Sequence, residues 1–187
     1  MKTGLHQDAE GSVRMSKIIR LAVAAMALAV GCHGAQAQTP IPPSPQDFVM
    51  AAAQSDQYEI LAAHLAEVQG QDPQVRAFAA EMIQDHTRLT ADLRRAAQAS
   101  GLPAPGSGMS SDEAALLSGL QGLRGAAFDK AYARQQVLAH TQATAVEESF
   151  ADAGADPELK KAAQAALPTI KAHLTKASQL RDALGGS

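Results

Sequence analysis

Residues 101–125 read GLPAPGSGMSSDEAALLSGLQGLRG, and the length and punctuation of this stretch decide how the rest of the chain is arranged. Its first half, with Gly101, Pro103, Pro105, Gly106 and Gly108, cannot sustain a helix. Its second half opens on Ser110 with Glu113 three residues on, a capping box that starts a short helix. A connection of this size can travel the length of a helical bundle, so the long helices on either side of it can run parallel, as in the single-crossover topology of ferritin-like folds. A short helix lying across the bundle end is the open alternative.

The other joints are tight. A first long helix is predicted from about Gln46 to Gln69, stopped at Gly70, and Asp72-Pro73 opens a second that runs to about Ser100. A third is expected from about Ala126 to Ala153, ending at Gly154, and Asp156-Pro157-Glu158 opens the fourth with the same start signal. Pro168 inside the fourth should kink it rather than end it, because the apolar pattern resumes at once. With so few residues between the first and second helices, and between the third and fourth, each pair must be an antiparallel hairpin. The expected fold class is therefore all-α: a four-helix bundle over residues 46–185 with a long second-to-third connection carrying a short extra helix.

Composition agrees. The chain has 187 residues, 3% of them aromatic and none Trp, so its core must be built from small side chains that let helices approach closely. A formal net charge of −3 and the lack of a basic run exclude a nucleic-acid interface. No glycine-rich phosphate loop, nucleophile elbow or HExxH occurs, and catalysis ranks behind a binding or scaffolding role.

At the N-terminus, Lys17 and Arg20 precede an apolar run from Leu21 to Val30, and Ala35-Gln36-Ala37 follows as a small-x-small cleavage pattern. These zones make residues 1–37 an extension plus signal peptide, with Met15 the better start, and residues 38–45 a linker rich in proline. The expected destination is the periplasm. The single cysteine, Cys32, offers an alternative, a lipid anchor at the outer membrane, although Ala29 stands where a lipoprotein signal usually has leucine. The apolar run is too short to span a bilayer comfortably, and no transmembrane helix is expected in the mature protein.

Four histidines remain beyond the leader, His64, His86, His140 and His173, one per long helix. At about 1.5 Å per residue, His86, His140 and His173 lie roughly 21–24 Å from their helix starts in a bundle about 40 Å long, all near its middle, while His64 is close to one end. In the second helix an alternating four-three spacing links Val75, Ala79, Met82, His86, Leu89, Leu93 and Ala96. The same spacing links Leu159, Ala163, Ala166, Ile170, His173, Ala177, Leu180 and Leu184 in the fourth. One histidine interrupts each apolar seam. His140 stands about a quarter turn from the bulky line Phe128, Tyr132, Ala139, Val146, Phe150, so it either borders the core or faces solvent. Glu59 is at the right height on the first helix, and Asp85 adjoins His86. Each histidine alone is readily explained as a core residue held by a hydrogen bond, but two inward imidazoles at one height favour a shared site.

Taken together, MxxDHT at Met82–Thr87, FDxxY at Phe128–Tyr132, His140 eight residues after that tyrosine, and LPxIxxHL at Leu167–Leu174 resemble the domain of unknown function 4142 family over about Phe48 to Leu180. That resemblance implies a ferritin-like four-helix bundle, exported in bacteria, with no established activity. Many ferritin-like proteins hold two metals with Glu-x-x-His pairs. None occurs here, which disfavours a di-iron centre. The expected site is one transition metal, Fe, Zn, Cu or Ni, with His86, His140 and His173 as candidate ligands and Glu59 or Asp85 as the carboxylate or as a partner behind a ligand. The rival reading is a non-enzymatic structural or protein-interaction module of the periplasm.

Overall fold

The computed structural model describes residues 44–185; the signal-peptide, Cys32 and most of the linker readings lie outside them. Five helices follow in order: α1 Pro45–Gln69, α2 Pro73–Ala99, α3 Ser111–Gln121, α4 Gly125–Ala153 and α5 Pro157–Ala183. Three of the four long helices start with the same local device. Ser44, Asp72 and Asp156 each turn a side-chain oxygen onto a free backbone N–H of the first turn, and a proline with no N–H to lose follows at once. Helix α5 continues through Pro168.

The crossover is present. Phe48, at the start of α1, stacks on Phe150, near the end of α4, with ring centroids 4.1 Å apart, so α1 and α4 are antiparallel. Since α2 runs back along α1, α2 and α4 point the same way, and the connection between them has to return along the bundle. It leaves α2 through Gly101 at φ 69° and enters α4 through Gly125 at φ 59°, left-handed geometry that costs other residues roughly 1 kcal/mol or more. On the way, α3 is started by the Ser110–Glu113 capping box and buries Leu117 and Leu120. Gln135 of α4 holds it by donating to the Leu116 carbonyl at 3.1 Å while accepting from the Tyr58 hydroxyl at 2.9 Å.

Each bundle end has its own fastening. The α1–α2 turn is tied to α4 by the buried carboxylate of Asp129, which accepts from the backbone N–H of Gln71 at 3.0 Å and of Asp72 at 2.9 Å. At the other end the Ser100 hydroxyl donates to Asp156 at 2.7 Å, joining the end of α2 to the cap of α5. Gly154 lies so close under Phe150 that a Cβ there would stand 2.6 Å from its ring. Because charge-assisted bonds of a buried carboxylate contribute about 1.5–3 kcal/mol each, Asp129→Ala should lower stability by about 3 kcal/mol in urea unfolding, while the exposed Asp112→Ala should change it by no more than about 0.5 kcal/mol.

Candidate metal centre

Apolar side chains fill the two ends of the bundle, around Phe78, Met82, Phe128 and Tyr132 at one and around Phe48, Leu93, Phe150 and Leu159 at the other. Between these levels polar side chains share the interior with a small apolar cluster of Leu89, Ala166 and Ile170. His86 from α2, His140 from α4 and His173 from α5 are at most 2% exposed, and their ring centroids form a nearly equilateral triangle with sides of 5.6, 5.4 and 5.4 Å. One nitrogen of each ring lies within 4.8 Å of its counterparts on the other two, close enough for a single ion to touch all three.

The groups behind the rings dictate which nitrogens carry protons. His86 Nδ1 is 2.8 Å from Asp56 Oδ1, His140 Nδ1 is 3.0 Å from the Gln136 carbonyl, and His173 Nε2 is 3.0 Å from Asp85 Oδ2. A carbonyl and ionised carboxylates only accept, so each of these ring nitrogens must be the donor. The lone pairs are thereby left on His86 Nε2, His140 Nε2 and His173 Nδ1, and all three atoms are buried without a hydrogen-bond partner. Buried nitrogens of this kind are costly unless something binds them, and an imidazole oriented through its far N–H is the usual arrangement behind a metal.

Electrostatics separate the three rings. Burial and the charge of neighbouring His86 hold His140 well below the ordinary histidine range; His173 is lowered for the same two reasons, with Asp85 opposing. For His86, burial also favours the neutral ring, but the hydrogen bond and charge of Asp56 outweigh it and raise the pKa. The cluster thus sits with two rings neutral and a third tuned by a carboxylate.

The expected residues fall as follows. His86, His140 and His173 come together, and His140 is fully buried instead of facing solvent, because the third long helix buries a face wide enough to hold both its bulky line and the adjoining Ala133, Gln136, His140 and Glu147. Neither carboxylate joins the three-histidine group, although Asp85 lies with Glu81 and His173 in a second cluster whose donor atoms are within 4.8 Å of one another. Asp85 stands behind His173, and also accepts from Arg88 at 3.0 Å. Glu59 lies behind His140, its Oε1 3.4 Å from Nδ1 and its Oε2 accepting from Gln136 at 2.6 Å; burial pushes its pKa up to about 7 against the pull of His86. His64 is exposed beside Glu67. Asp56, the partner of His86, was not among the expected residues, although Val49, Ala52, Asp56, Glu59, Ala63 and Ala66 show the alternating three-four spacing that marks the other seams.

Comparison with known proteins places the fold. The solved structure of CopM in the Cu(II)-bound form aligns with a TM-score of 0.64 at 20% identity, over 76% of this chain and 98% of that one. A putative secreted protein, DUF305, from Streptomyces coelicolor aligns at 0.65 and 15% identity, over 76% and 94%, and a DUF305 fragment from Deinococcus radiodurans at 0.64 and 21%, over 79% and 99%. At these identities the likeness is one of fold. No curated protein matches the sequence. The family model named Domain of unknown function (DUF4142) matches residues 30–180, and the chain belongs to that family.

Proposed function

We propose that the protein is an exported helical module that holds one transition-metal ion on His86, His140 and His173, with copper as the preferred ion. The observation that carries this reading is the set of three inward lone pairs, each buried, each without a partner, and each backed by an acceptor on the opposite side of its ring. Three imidazoles suit Zn, Cu, Ni or Fe, and divalent copper binds nitrogen donors most tightly of these. Support for copper also comes from the shared fold of CopM, whose solved structures include Cu(II)-bound and Cu(I)-bound forms. Export rests on the leader read at Met15–Ala37; among the described residues no helix is long and apolar enough to cross a membrane.

Protein purified without chelator or affinity tag should carry or take up about one copper ion per chain, a stoichiometry that follows from the single cluster made of three imidazoles. The His86→Ala/His173→Ala double variant should lose it, as followed by elemental analysis and competition titration. A folded wild type that binds neither copper nor zinc would instead favour the scaffold reading, in which the rings merely pack. Asp56→Asn should weaken binding about tenfold, as changes behind a ligating histidine do.

Acidification should also weaken binding, because the ion competes with protons for the rings. His86, with its raised pKa, gains its proton first as pH falls. Asp56→Asn removes the carboxylate that raises it, so the onset of acid loss should move to lower pH in titrations between pH 8 and 5.

A further inference from the structure

Two lateral cavities reach toward the histidine level. One, of about 260 Å³, is lined by α1 and α4 and bordered by Ser110, Glu113 and Leu116; the other, of about 120 Å³, is lined by residues of α2 and α5 including Leu89, Leu93 and Ala165. Ala52, Asp56, Glu147 and Ile170 line both. The two cavities therefore share a pair of carboxylates set beside Ala52 and Ile170, while Glu113 lines the first alone and Arg88 and Asp92 line the second alone.

Glu147 is 7% exposed, its Oε2 is buried with no hydrogen-bond partner, and none of the ion pairs among the described residues involves it. Burial first, and the charge of Asp56 second, push its carboxyl up to about 8. An apolar side chain would fill this place at no such cost. Glu147 lies two turns further along the same α4 seam as His140, about 10 Å along the axis, and Asp56 borders the same two cavities, with one oxygen on His86 and the other accepting from the Thr90 hydroxyl at 2.8 Å. By contrast, the acidic residues nearest His173 at the surface are engaged by cations, Glu81 by Lys176 and Asp85 by Arg88.

We propose that Glu147, together with Asp56, is a cation-capturing station through which a metal ion passes from the lateral cavities to the three imidazoles. This rests on the metal-centre reading above. Capture needs a carboxylate that faces a cavity, lacks a fixed positive partner and can give up a proton to the entering cation, and Glu147 meets each condition. Asp56 connects it to the rings, since the same carboxylate that orients His86 also borders both cavities. Residence at this station is transient, because two carboxylates bind copper more weakly than three imidazoles do.

The test is the rate of copper uptake by the apo full chain from Cu(II)–glycine in stopped flow, followed by quenching of the fluorescence of Tyr58 and Tyr132. Glu147→Gln should load at least tenfold more slowly with the final stoichiometry and affinity unchanged, and release to excess chelator should slow by the same factor. Its melting temperature should be no lower than that of the wild type, so a slow rate cannot come from misfolding. Glu148→Gln, at an exposed position paired with Lys171, should load at the wild-type rate. Uptake by Glu147→Gln as fast as by wild type overturns the station while leaving the metal centre intact. A wild type that takes up no copper at its end point overturns the metal centre, and the station with it.

Discussion

A dry helical interior has to accommodate three imidazoles, and the rest of the structure follows from how that is managed. Each ring has two nitrogens, and the protein satisfies only one. Asp56, the Gln136 carbonyl and Asp85 accept one proton from each ring, which fixes the tautomers and leaves each ring one buried nitrogen without a partner. Such a layer weakens the middle of a core that apolar side chains would fill more favourably. Stability is consequently concentrated at the ends, in the Phe48–Phe150 stack, in Phe128 against Tyr132, and in the Asp129 tie across the α1–α2 turn.

Alanine is the other half of that solution. Along the seams it alternates with the buried polar side chains, Ala52 and Ala63 around Asp56 and Glu59, Ala143 between His140 and Glu147, Ala166 and Ala177 around His173. Small neighbours let helices come close enough for rings from three of them to meet, and leave the space that forms the lateral cavities. Bulkier residues here would bury more area but close the approach to the rings. The scarcity of aromatics in the whole chain is thus tied to the site as well as to the fold.

The spacing of ferritin-like di-metal sites sets a useful contrast. A ferritin-like scaffold often gathers carboxylates at mid-height, with Glu-x-x-His pairs on two helices. Here Ile170 stands three residues before His173, and the acids have moved behind the imidazoles, so the donors that converge are nitrogen. In general, imidazoles in the inner position suit nitrogen-binding transition metals, whereas carboxylates there suit hard, oxygen-ligated ions.

Helix boundaries, hairpins and the crossover were legible because they depend on local chemistry: Asp-Pro starts, glycine stops, and a capping box in a connection too long for a turn. The inward direction of His86 and His173 was legible for the same kind of reason, since each interrupts an otherwise apolar three-four series. His140, Asp56 and Glu147 were harder to place. Their seams are themselves polar, and the bulkiest residues of α4 mark only part of an inner face that extends a further quarter turn to include His140. Sequence by itself determined the elements, their order and the height of each histidine, because these follow from residues near one another along the chain. Only the tertiary structure decided which ring nitrogens converge and which carboxylates stand behind them, because that depends on how four helices rotate about their own axes when they pack.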